Sequence, residues 1–134
     1  MDEATEILLL VDESKEKLVI VEGKKDERAL RELGFSKIVT LGRPLYQVIE
    51  QLPEIDEVML LVDLDSEGKK LFGELARNIE RRGIKIDNRL RNFFLQYSKL
   101  RQIEGLPSYM LSLELRRGCR LHGRHTDLDE LNDG

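Results

Sequence analysis

A single cysteine, Cys119, in 134 residues has nothing to pair with inside the chain. A disulfide framework is therefore excluded, and stability is expected to come from packing, as in an intracellular protein. Long hydrophobic runs are missing too. None exceeds the five residues of ILLLV at 7–11, far short of the ~20 apolar residues of a membrane-crossing helix, and no basic-then-apolar leader precedes it. A cytoplasmic protein with no membrane partner is the expectation. There is also no Gly-x-x-x-x-Gly-Lys loop and no set of residues suited to a serine triad, which counts against nucleotide hydrolysis by that route.

What is present in excess is charge, 36% of residues against a usual value of about 25%. A net charge of −4 argues, taken alone, against a polyanionic partner. The charges are segregated, however. Between residues 50 and 67 every charged side chain is acidic: Glu50, Glu54, Asp56, Glu57, Asp63, Asp65 and Glu67. From Arg77 to Arg101 the balance reverses, with Arg77, Arg81, Arg82, Lys85, Arg89, Arg91, Lys99 and Arg101 against Glu80 and Asp87. A basic region beside an acidic centre is able to grip phosphates while holding a cation.

Periodicity orders the elements. Residues 2–12 read as a helix, and LVIVE at 18–22 as a short, continuously apolar strand of the kind covered on both faces. A helix follows with Ala29, Leu30 and Leu33 inward, capped by Gly34. KIVTL at 37–41 is a second strand, and residues 44–52 form a helix opened by a first-turn proline. VMLLVD at 58–63 is a third strand, followed by a helix from an N-cap at Ser66 to about residue 82; IKI at 84–86 makes a fourth strand. Further helices are expected at 90–100 and 107–115. Strands alternating with helices through short links imply a compact, doubly wound α/β fold, a parallel sheet of about four strands with helices on both faces. The segments are an N-terminal helix (1–16), the α/β domain (17–100), a helical extension (101–118) and a polar tail (119–134) that is expected to be mobile.

Ligands of such sheets sit beyond the carboxyl ends of the strands. Glu22 ends the first strand there, and Gly23 after it allows a sharp turn and a close approach by another group. The third strand ends in VDLDSEGKK, where Asp63 and Asp65 project to one side while the chain stays extended and Glu67 joins from the turn. Carboxylates crowded in this way stay ionised together only around a cation. All-oxygen ligands without histidine or cysteine indicate a hard metal, magnesium first, with manganese able to substitute. The simpler reading makes both aspartates turn and cap residues.

VIVEGKKDERAL at 19–30 followed by LVDLDSEGKKL at 61–71 resembles the Toprim domain of topoisomerases, bacterial primases, overcoming-lysogenization-defect nucleases and the maturase of 5S ribosomal RNA. The family's Glu-Gly and Asp-x-Asp signatures occur here in order, over roughly residues 17–100, and the chain is similar to small stand-alone archaeal Toprim proteins. Asp63, Asp65, Glu67 and Gly68 give D-x-D-x-E-G, although Lys69 stands where type IA topoisomerases carry another acid. The resemblance implies that Asp63 and Asp65 coordinate magnesium, that Glu22 ligates it or shuttles a proton, and that Glu67 is a third-ligand candidate. Asp26 matches an acidic family position but equally complements the dipole of the helix it begins. Gly23, Lys24, Lys25, Arg43, Gly68 and Lys69 lie at the same rim for phosphate contact, and Arg77 and Arg81 belong to the basic stretch expected to track a nucleic-acid backbone.

The expected function is magnesium-dependent phosphoryl transfer on RNA or DNA, as a nuclease or processing factor, served by a protein partner that delivers substrate. The alternative is a non-catalytic adaptor retaining the metal site. A topoisomerase would need a nucleophilic tyrosine on further domains, and Tyr46, Tyr97 and Tyr109 read as partly buried packing residues. A haloacid-dehalogenase-like phosphatase is disfavoured by Glu67 in the final position of its D-x-D motif and by Glu22 on an earlier strand. Cys119, His122 and His125 form C-x-x-H-x-x-H with Asp127 as the one close fourth ligand, a weak zinc pattern in a polar, arginine-rich tail.

Overall fold

The computed structural model describes the chain from residue 2 to residue 122, with side chains to Arg116. Four parallel strands, β1 (Val19–Val21), β2 (Ile38–Thr40), β3 (Glu57–Leu60) and β4 (Lys85–Asp87), lie in the order β2-β1-β3-β4. Between and around them run α1 (Glu3–Ser14), α2 (Lys24–Glu32), α3 (Leu45–Glu50), α4 (Ser66–Glu80), α5 (Arg89–Tyr97), a 3-10 turn at Ile103–Gly105, and α6 (Leu106–His122). The fold is the doubly wound α/β arrangement expected from the sequence.

The reason is visible in how the strand residues divide. Val19 and Val21 of β1, with Met59 and Leu61, face one core shared with Ile7 and Val11 of α1, Leu30 of α2, Phe93 and Phe94 of α5, and Leu106, Met110 and Leu113 of α6. Ile20, Val58, Leu60 and Val62 face the other, against Ile49 of α3 and Leu75 and Ile79 of α4. Successive strand residues point to opposite faces, so a strand covered on both sides must be apolar at every position. Each of these side chains contributes about 1.5–3 kcal/mol when fully buried, and both faces are needed to hold the sheet. α1 and α6 are thus built into the same core as β1.

Local punctuation follows the sequence with three revisions. Gly34, at φ 100°, closes α2 with a Schellman pattern in which Phe35 N–H donates to Leu30 O and Gly34 N–H to Arg31 O, both at 3.0 Å. The N-cap of α4 is Asp65 rather than Ser66; its Oδ1 accepts from Gly68 N–H at 2.8 Å. β3 ends at Leu60, three residues before Asp63, although Leu61 N–H still donates to Ile20 O at 2.9 Å. The backbone of α6 continues to His122, past the expected start of the tail at residue 119. The Cys119 and His122 side chains, His125 and Asp127 lie outside the described residues, as does the rest of the expected tail.

Candidate functional site

The strand order sets where a site forms. The crossover from β1 carries α2 over one face of the sheet, while that from β3 carries α4 over the other. The two chains therefore part between neighbouring strands and leave a crevice at their carboxyl ends, the topological switch point of an open α/β sheet. Glu22 directly follows β1, and Asp63 follows the end of β3.

One bond joins them across the gap: Asp63 N–H donates to Glu22 Oε2 at 2.9 Å. Asp63 in turn accepts from Ile103 N–H on its Oδ1 at 3.0 Å, and Leu64 N–H donates to Arg101 O at 2.7 Å. The segment around the 3-10 turn is tied down over the crevice by these two bonds. Glu22, Asp63 and Asp65 each have one oxygen fixed by a backbone amide and the other without a protein hydrogen bond among the described residues. Fixed on one side and open on the other is the condition of a carboxylate able to take a cation.

Asp63 and Asp65 are held by different partners, Asp63 by the Ile103 amide and Asp65 by that of Gly68. The chain turns into α4 between them, and Asp65 spends its Oδ1 on the helix cap. Glu67 is exposed in the first turn of α4. Among the described residues no three acidic side chains are gathered closely enough to hold a metal ion, so the expected four-carboxylate set is not assembled. The cross-strand pair Glu22 and Asp63 remains, and it fits magnesium, which commonly takes one or two carboxylates and fills its other positions with water or phosphate.

Gly68 explains the end of the D-x-D-x-E-G stretch in steric terms. A Cβ on Gly68 would stand 1.8 Å from the Asp63 carbonyl oxygen, so the first turn of α4 can pack against the chain leaving β3 only without a side chain there. Gly23 behaves differently. Its φ of −152° is ordinary extended backbone, and a Cβ there would meet nothing within 4 Å. The chain does bend at Glu22 and Gly23, but not through a conformation that requires a glycine; what the residue leaves is open space beside Glu22.

Two further acids belong to the crevice. Asp26, 8% exposed, accepts from Gly23 N–H at 3.1 Å and so ties the first turn of α2 to its cap. Burial raises its pKa above the ordinary value; the Gly23 amide opposes this, and repulsion from Asp63, Glu22 and Glu104 adds to it. Sequence reasoning left Asp26 undecided between a capping and a functional role and did not see Glu104 at all, since the 3-10 turn carries no periodic signal.

Arg91 was also missed. Counted in the basic stretch expected to grip phosphates, it is 3% exposed, with Nη1 donating to the Val62 carbonyl, Nη2 to that of Asp63 at 3.2 Å, and its guanidinium 4.6 Å from the centroid of the Phe72 ring. Burial lowers its pKa while Glu22, Asp63 and Asp65 push it up. The signal was available: Leu90, Arg91 and Phe94 share the apolar stripe of α5.

Lys24, Lys25, Arg43 and Lys69 are exposed at or near the carboxyl edge, with Arg43 bonded to Gln51 Oε1. Arg77 and Arg81 are not part of this rim. α4 begins at the edge and runs away from it, which puts them about 18 and 24 Å along the helix from Asp65 at 1.5 Å per residue. Arg82 and Arg89 are likewise engaged elsewhere, with Ile49 O and Asp87. Tyr46, expected to be partly buried, is 63% exposed in the first turn of α3.

Fold and crevice together define a small parallel α/β protein with an acidic pair at its switch point. The chain belongs to the UPF0292 family. It is 41% identical over 102 residues to a UPF0292 protein of Pyrococcus horikoshii, covering 73% of this chain and 77% of that one. It is 36% identical over 104 residues to another of Methanocaldococcus jannaschii, covering 73% and 81%. A solved structure of a protein from Aquifex aeolicus matches with a TM-score of 0.67 and 26% identity over 75% of this chain and 94% of that one. No family model matches the chain. Among the described residues no helix is long and apolar enough to cross a membrane.

Proposed function

We propose that the chain is a cytoplasmic, magnesium-dependent phosphoryl-transfer protein acting on RNA or DNA, a nuclease or processing factor, with Glu22 and Asp63 holding the ion and manganese able to replace it. The observation that carries this reading is the 2.9 Å bond from Asp63 N–H to Glu22 Oε2, which joins acids 41 positions apart at the switch point. The Toprim resemblance of the Glu-Gly and Asp-x-Asp stretches supports it.

When bound, a divalent ion supplies charge stabilisation at a phosphodiester oxygen and a more acidic water. The chain's own groups do the rest. Glu22 and Asp63 present their unbonded oxygens, and Glu22 is placed to accept a proton. Asp65, held as the cap of α4, keeps the crevice negative, while Glu67 stands at its exposed margin. Lys24, Lys25, Arg43 and Lys69 meet phosphate oxygens from the rim. Gly23 and Gly68 let backbone come close, the first to substrate and the second to Asp63.

The lack of a third gathered carboxylate among the described residues favours one other reading, an adaptor that binds nucleic acid or a substrate-delivering partner through the same site without turnover. Labelled structured RNA and DNA, incubated with magnesium or manganese and either the wild type or Asp63→Asn, separate the two. Cleavage abolished by the substitution supports the enzyme, and metal-dependent binding without cleavage supports the adaptor. A wild type that shows no nucleic-acid binding and no thermal stabilisation by manganese sinks both; saturation at about a hundred times Kd should stabilise by about 2.7 kcal/mol.

A further inference from the structure

We infer that Arg91 is a positioning residue for the acidic pair: its fork clamps the consecutive carbonyls of Val62 and Asp63 and thereby fixes the direction in which the Asp63 carboxylate and amide face Glu22. This rests on the proposed metal site for its purpose, though not for its geometry. Beyond Leu61, whose N–H still bonds to β1, the chain has left the sheet, and among the described residues the carbonyls of Val62 and Asp63 accept no backbone N–H. A backbone carbonyl buried without a donor is costly, and Arg91, reaching across from α5, supplies both donors.

The side chain is held as firmly as what it holds. Phe72 of α4 lies under the guanidinium at 4.6 Å, and Leu90 and Phe94 on either side of Arg91 in α5 are fully buried. α4 and α5 are thereby locked to the same two peptide groups. A planar fork offers two parallel donors in fixed geometry, which a lysine ammonium does not. Buried beside Glu22, Asp63 and Asp65, the guanidinium also offsets part of their mutual repulsion. The clamp holds the two bonds Asp63 N–H to Glu22 and Ile103 N–H to Asp63 before any ion arrives.

The test compares wild type, Arg91→Met and Arg91→Lys without metal by amide hydrogen exchange, and with manganese by titration. In both variants exchange at Asp63 and Ile103 should speed by about tenfold relative to Val58 and Ile79, which report the other core, and manganese affinity should fall by about tenfold. Asp63 and Ile103 exchange that changes no more than the reference amides overturns the inference. So does full rescue by lysine, which keeps the charge and loses the fork. If neither variant folds, Phe72→Leu removes the supporting ring without touching the crevice; the same amides should loosen selectively, and unchanged exchange there overturns the clamp. If the wild type binds no manganese, the metal reading fails while selective loosening of these amides still establishes the clamp.

Discussion

Two aspartates of equal burial, Asp26 and Asp87, each 8% exposed, carry opposite consequences for stability. Burial alone would raise the pKa of Asp87, but bonds from Arg89 and Lys17 outweigh it and hold the carboxyl well below the ordinary range. Asp87 therefore contributes stability that is fully present above the unfolded carboxylate pKa of about 3.9 and is lost as pH falls toward its depressed folded value. Asp87→Asn should cost about 1.5–3 kcal/mol at pH 7, the range for a hydrogen bond to a charged group, measured by urea unfolding; the difference should shrink in acid. Asp26 has the reverse sign. Its raised pKa means that ionisation opposes the fold, with the penalty developing as pH rises through the unfolded and then the folded value. Asp26→Asn retains an acceptor for Gly23 N–H and removes a charge beside Asp63, Glu22 and Glu104. It should raise Tm at pH 7 and have no such effect at a pH below both values. A lower Tm at pH 7 would show that the carboxylate is needed as an anion. Neither sign is legible in the sequence, because it is set by the neighbours the fold supplies: Arg89 and Lys17 for Asp87, the acids Asp63, Glu22 and Glu104 for Asp26.

At the scale of elements, the strands and the helices between them could be read because each obeys a local rule: unbroken apolar runs for strands covered twice, and one apolar stripe for helices covered once. Glu22 and Asp63 were legible for the same reason, since a polar residue ending such a run must lie at the sheet edge. What escaped was everything fixed by contact between elements. The 3-10 turn at Ile103–Gly105 and the Arg101 carbonyl just before it are held by Asp63 and Leu64, some 40 residues earlier, and Arg91 serves two carbonyls that the sequence does not reveal to be unpaired. Gly68 lies between these cases. Its place in the motif is readable from the sequence, and its reason is the Asp63 carbonyl at 1.8 Å from any Cβ. Gly68→Ala must push the first turn of α4 away from the chain leaving β3. The expected loss is about 2–3 kcal/mol, at the upper end for overpacking, accompanied by loss of manganese-linked stabilisation; denaturant unfolding with and without manganese measures both. A variant of unchanged stability would mean that the helix start is free to shift.

For the whole molecule, net charge conceals a division between the two edges of the sheet. The carboxyl edge combines the acidic crevice with Lys24, Lys25, Arg43 and Lys69, whereas the arginines at the end of α4 stand toward the opposite edge. Contiguity in sequence grouped Arg77 and Arg81 with the site; a helix that starts at the edge and runs away from it separates them. The two groupings predict different salt dependence for nucleic-acid binding. Each phosphate neutralised on a single strand contributes about −0.7 to the slope of log K against log salt. If Lys24 and Lys25 each meet one phosphate, Lys24→Ala/Lys25→Ala should make the slope shallower by about 1.4 and weaken binding most at low salt. Arg77→Ala/Arg81→Ala should leave the slope as it is. Binding titrations of a labelled single strand across a salt series, with the metal concentration held fixed, measure both. Should the arginine pair carry the change and the lysine pair none, substrate approaches from the far edge, and the crevice between β1 and β3 is not where it binds.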